Sequence, residues 1–260
     1  MIYALKGLGF IFVMTTLGSA TVFLFKDEIS NTIQTIFLGF AAGIMIAASI
    51  FGLILPSLET SNNMGLPSWV PTSIGFLTGV FIIFILDKIV PHLHPNINKK
   101  EGMSTSMKRT SLLITAVTLH NIPEGMAVGL SFSLAAQNPN NPILLTSAIA
   151  LAAGIGIQNF PEGAAVSLPL RREGFSSKKS FILGSLSGIV EPIFGIITFL
   201  ITSNSIAIMP WLLSAAAGAM MYVVIEELIP EAHLGEGSDL GTISVLIGFV
   251  IMMILDVALG

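Results

Sequence analysis

Apolar residues fall along this chain in long unbroken runs, without the 3.6-residue or two-residue alternation of half-buried soluble elements. Eight such runs can be delimited, at about 5–25, 33–55, 70–91, 111–134, 143–169, 181–202, 208–230 and 240–259. Each reaches the roughly 20 residues that a helix needs to cross hydrocarbon. Barrel strands would instead alternate over about ten residues. Because only helices and closed barrels satisfy their backbone groups in lipid, the pattern predicts an all-α polytopic membrane protein. It has eight transmembrane helices, and residues 1–260 form a single transmembrane domain. Links rich in Pro, Gly, Asn and Ser divide the runs, such as Ser61-Asn62-Asn63-Met64-Gly65 and Asn138-Pro139-Asn140-Asn141-Pro142. The longest polar link, about 92–110, is expected to be mobile. The first run has one lysine near its start and no clear small-residue cleavage site, so it is read as a retained span.

Composition agrees with this class. Only 10% of residues are charged and the mean hydropathy is +0.88, whereas soluble domains carry about a quarter charged residues. The chain has no cysteine, which removes disulfides, thiolate ligands and thiol nucleophiles from consideration. The placement of charge says more than its net value. Lys26 lies in the first link; Lys88, Lys99, Lys100, Lys108 and Arg109 border or occupy the third; Arg171, Arg172, Lys178 and Lys179 lie in the fifth. The second, fourth and sixth links have no lysine or arginine. Basic residues mark the cytoplasmic side, so both termini are expected to be extracytoplasmic.

Polar chemistry interrupts two of the runs. His120-Asn121-Ile122-Pro123-Glu124-Gly125 and Gln158-Asn159-Phe160-Pro161-Glu162-Gly163 are matching hexads 38 residues apart. Ionisable groups inside a bilayer are costly and mark functional sites by default. His120 and Glu124 project from one helical face, with Asn121 about 100° round, and Gln158, Asn159 and Glu162 repeat that geometry. Pro123 cannot donate to the Leu119 carbonyl, nor Pro161 to that of Ile157, which frees two acceptors. Gly125 and Gly163 permit close helix approach. Glu191, ahead of Pro192, adds a carboxylate in the sixth span, and Met45 offers a soft thioether in the second. Mixed nitrogen and oxygen donors suit zinc and its neighbours iron(II), manganese and cadmium. Asp87 and Asp256, near span ends, read as solvated or capping residues. Glu226, Glu227 and His233, with His92 and His94 in the third link, could line an exit path.

The repeat extends beyond the hexads. Ala41-Ala42-Gly43-Ile44-Met45 with Leu55-Pro56 resembles Ala216-Ala217-Gly218-Ala219-Met220 with Ile229-Pro230. Ile74-Gly75-Phe76 and Ile85-Leu86-Asp87 resemble Ile247-Gly248-Phe249 and Ile254-Leu255-Asp256. The paired spans run in opposite senses, the sign of an inverted repeat. The expected plan is 3+2+3, with helices 1–3 repeated as helices 6–8.

The hexads, the Glu-Pro of span six and the Ile-Pro-Glu-Ala-His ending of span seven resemble the ZIP (Zrt/Irt-like) family of metal transporters, in its GufA-like prokaryotic branch. The resemblance covers essentially the whole chain. It implies a plasma-membrane transporter, often a homodimer, that moves divalent metal (zinc above all, also cadmium, iron or manganese) toward the cytoplasm. The metal and the lipid bilayer are its partners; no organic cofactor and no nucleic acid are implied. Carried over by position, a primary site uses His120, Glu124, Gln158 and Glu162 with Met45. A second uses Asn121, Glu124, Asn159, Glu162 and Glu191. Some relatives have aspartate where this chain has Asn159, so the second site lacks one charge. Two rival classes are an intramembrane zinc metallohydrolase, whose H-E-x-x-H pattern is absent, and a non-transporting membrane protein with a polar packing network. Metal flux separates transport from both.

Overall fold

The computed structural model describes residues 1–24, 30–90, 92–94, 99–101, 109–203, 205–232 and 239–259. His233 lies outside them, and so do the side chains of His92 and His94. Helix α1 (Ile2–Ala20) ends in a single 3₁₀ turn. Helix α2 (Asn31–Ala47) begins where the Ser30 hydroxyl accepts the Ile33 amide at 3.3 Å. It passes through seven π-helical residues, Ala48–Ile54, into α3 (Leu55–Asn63). Helix α4 spans Trp69–Ile89. The two longest helices are α5 (Arg109–Gln137) and α6 (Pro142–Arg172). Helices α7 (Ser177–Ser187) and α8 (Val190–Ser203) follow. Next, α9 (Met209–Val223) passes through π-helical Val224–Leu228 into α10 (Ile229–Glu231). The last helix is α11 (Leu240–Leu259).

Proline chemistry explains where these helices widen or break. Pro56 and Pro230 lack an amide to donate, and their rings crowd the preceding turn. In both places a π turn precedes the proline: Leu55 donates to the Ile50 carbonyl, and Ile229 to that of Val224, each five residues back. Pro192 cannot donate to the Gly188 carbonyl, which the Glu191 amide takes instead at 3.2 Å. The sixth run is therefore two helices, α7 and α8, and not the single one its hydropathy predicts. The expected mobility of the 92–110 link falls largely on residues outside those described, 95–98 and 102–108. His92–His94 (β1) and Lys99–Glu101 (β2) pair antiparallel, with Leu93 opposite Lys100.

Seven stretches of the described residues are long and apolar enough to cross a membrane: 2–23, 32–63, 69–89, 142–172, 177–203, 206–231 and 240–258. Helix α5, 29 residues and so about 43 Å long, is not among them, because its hexad dilutes its apolar character. The distribution of polarity is that of a multi-pass membrane protein. Phe81 and Leu246 are about 60% exposed on the outside, while Asn121, Glu124, Gln158, Asn159 and Glu191 are fully buried.

Four helix pairs pack most extensively: α1 with α6, α5 with α8, α2 with α11, and α4 with α9. Two glycines fix the approach that matters for the site. A Cβ on Gly125 would overlap the Glu191 backbone, and one on Gly163 would overlap the Thr15 carbonyl. The closing residue of each hexad thus seats α5 on α8 and α6 on α1.

Candidate metal centre

Both hexads lie within unbroken helix, α5 continuing through Pro123 and α6 through Pro161. The helices cross so that Gln158 Nε2 donates to Glu124 Oε1 at 2.5 Å. Asn159 Nδ2 donates to Glu191 Oε2 at 2.8 Å and to the Ile11 carbonyl at 3.4 Å. Asn121 Nδ2 donates to the Ser187 carbonyl at 3.2 Å, at the end of α7. Every amide N–H₂ group thereby points at an acceptor, and the oxygens are left over. Asn121 Oδ1, Glu124 Oε2, Gln158 Oε1, Asn159 Oδ1 and Glu162 Oε2 are all buried without a hydrogen-bond partner.

Buried acceptors without a donor are rare, because each gives up its hydration for nothing. Five of them come from the two matching hexads. Glu124, Glu162 and Glu191 lie near enough to act on one another electrostatically. Apart from Arg109 at the start of α5 and Arg171 and Arg172 at the end of α6, helices α5, α6 and α8 contain no lysine or arginine. Glu191 occupies the first turn of α8, where the positive end of the helix dipole favours a carboxylate. The Thr15 hydroxyl also donates to its Oε1, at 3.4 Å.

His120 lies within electrostatic reach of Glu162, and its Nε2 forms an ion pair with Glu227 Oε1 on the π-helical stretch after α9. Glu227 is buried, while the adjacent Glu226 is exposed. Met45 is buried in the apolar core. Among the described residues no three His, Asp or Glu side chains form a cluster able to hold an ion by themselves. A crevice of about 60 Å³ between α2 and α6, lined by Gln34, Phe37, Ala41, Pro161 and Leu168, reaches Glu162.

Four features escaped the sequence. Thr15 supports Glu191, but a hydroxyl in an apolar span usually back-bonds its own helix, and Thr15 also does this, to Ile11 at 3.2 Å. The Ser187 carbonyl becomes an acceptor only because the sixth run breaks. Asp87 is interior, not solvated or capping: it is 4% exposed and accepts the Tyr222 hydroxyl at 3.1 Å. Asp256 likewise has a buried carboxyl oxygen, without a partner.

The chain matches the ZIP Zinc transporter family over residues 96–256. It is 34% identical to the protein named zinc transporter ZIP11 of Homo sapiens, covering 99% of this chain and 97% of the relative. It is 36% identical to zinc transporter GufA of Myxococcus xanthus, covering 95% and 94%. With zinc transporter ZIPB of Bordetella bronchiseptica the identity is 37%, over 99% and 82%.

Proposed function

This chain belongs to the ZIP zinc transporter family and transports divalent metal ions, and on that premise we propose that zinc crosses the membrane through the paired hexads of α5 and α6. The zinc assignment rests on what the relatives are named as carrying; cadmium, iron and manganese fit the same mixed donors. The observation that carries the site is the group of five buried, unpartnered oxygens on Asn121, Glu124, Gln158, Asn159 and Glu162. Glu124 and Glu162 bind the ion, with Gln158, His120 and Met45 completing a primary site. Asn121, Asn159 and Glu191 form the adjacent one. Glu226, Glu227, His233, His92 and His94 line the way out.

The proposed architecture has eight spans, α5 being the eighth, in a 3+2+3 inverted repeat. The symmetric packing supports this: exchanging helices 1–3 with 6–8 and four with five maps the α1–α6 contact onto α8–α5, and α2–α11 onto α9–α4. The π turns ahead of Pro56 and Pro230 map onto each other as well. The distribution of basic residues supports extracytoplasmic termini; the resemblance supports transport toward the cytoplasm across the plasma membrane, by a homodimer.

Zinc uptake into proteoliposomes tests the site. Glu124→Gln and Glu162→Gln each keep side-chain volume and remove the charge, and each should lower uptake by two orders of magnitude or more while the protein elutes as a folded species. Normal uptake by the double variant would reject the assignment.

A further inference from the structure

His120 is the only nitrogen ligand in the hexads, and its Nε2 is occupied by Glu227. One nitrogen cannot serve a carboxylate and a metal at once. Meanwhile the oxygens of Asn121, Glu124, Gln158, Asn159 and Glu162 stand without partners. His120 thus stands within reach of Glu162, but its Nε2 is committed to Glu227 while the hexad oxygens have no partner. Zinc favours imidazole over a neutral amide oxygen, so withdrawing His120 weakens the site more than losing any one of the amides.

Building on the hexads as the transported-metal site, we propose that Glu227 is a positioning residue that competes with the ion for His120, so that re-forming the His120–Glu227 pair drives release. When metal takes Nε2, the proton shared by the pair stays on the Glu227 carboxyl. When the pair re-forms, the ion loses its one nitrogen ligand.

The position of Glu227 suits this task. It is buried where its neighbour Glu226 is exposed, so only one of the two carboxylates faces the site. It lies in the π-helical stretch Val224–Leu228, just before Pro230, and such widened turns deform more readily than regular helix. That stretch packs against α2, the helix that carries Met45. A carboxylate that served only as a later stop for the ion would leave the affinity of the hexad site unchanged, whereas a competitor for His120 sets it.

Zinc titration of the purified protein by calorimetry, paired with uptake into proteoliposomes, tests this. Glu227→Gln keeps the shape and removes the charge that holds the imidazole. It should tighten zinc binding about tenfold, the scale of one charge-assisted hydrogen bond, and slow turnover by a similar factor. In a His120→Ala background the same change should leave affinity where His120→Ala alone puts it. Glu227→Asp, which retains the charge on a shorter arm, guards against misfolding of the first variant and should tighten binding less. Unchanged or weaker binding in Glu227→Gln, or equal tightening without His120, would overturn the proposal. Wild-type zinc binding by a Glu124→Gln, Glu162→Gln double variant would overturn instead the hexad reading beneath it.

Discussion

Asn159 stands between two demands on its side chain. Its amide nitrogen holds Glu191 at 2.8 Å, while its oxygen is buried and unpartnered. Two divalent ions would bring four positive charges against three glutamates, and an uncompensated charge in a dry interior is costly. The second ion should therefore bind weakly. Asn159→Asp supplies the missing charge at nearly the same volume, yet it also removes the donor to Glu191 and sets two carboxylates against each other. We expect the variant to be destabilised by about 1–3 kcal/mol in chelator, the cost of leaving a buried partner unsatisfied. Zinc should restore that loss, and a second binding event should appear at least about tenfold tighter, given the charge added beside the ion. Melting curves with and without zinc, alongside calorimetry, measure both. The same zinc-dependent gain as wild type, with no change in the second event, would show that position 159 does not face the metal.

At the scale of elements, the hexad glycines set which helices touch. Gly125 lies against the Glu191 backbone, so a Cβ there must push α8, and with it Glu191, away from α5. Gly125→Ala should cost about 1–3 kcal/mol by overpacking and weaken the site on α8. Gly9 of α1 has open space at its Cβ, so Gly9→Ala should be neutral or stabilising by up to about 1 kcal/mol through helix propensity. Thermal unfolding of the two variants in one detergent makes the comparison; equal losses would show that the contact is not tight. Seven of the eight runs, the sixth among them, recur as stretches long and apolar enough to span, because hydropathy is a local property. The hexads were legible because polar groups in such runs stand out. The break within the sixth run was not legible. The run's hydropathy continues across Gly188-Ile189, and the break depends on which amide takes the Gly188 carbonyl. The π turns escaped for the same reason, although Pro56 and Pro230 were the available signal. The His120–Glu227 pair joins residues far apart in sequence, and a helical-face argument confined to α5 could not find it.

Across the whole molecule, cavities open toward opposite ends of α6. The crevice beside Glu162 involves Gln34 and the last turns of α6, next to the basic residues Arg171 and Arg172. A second cavity of about 90 Å³ is lined by Glu59, Asn63, Asn138 and Asn141, at the far ends of α3, α5 and α6. Glu162 lines the first, and the rest of the hexads lie between the two, so the proposed orientation would make the crevice the cytoplasmic one. Helix α6 is the simplest test, because its 31 residues span about 46 Å and both flanks are exposed at Asn140 and Glu173. The chain has no cysteine, so Asn140→Cys and Glu173→Cys each introduce a single thiol. Basic residues cluster at the Glu173 end, which the positive-inside rule makes cytoplasmic. With intact cells, an impermeant maleimide should label Cys at 140 and spare Cys at 173 until the membrane is opened. Labelling at 173 but not at 140 would invert the topology and with it the inferred direction of transport. Labelling of both from outside would mean that α6 does not cross the bilayer, and the hexads could not then form a path through it.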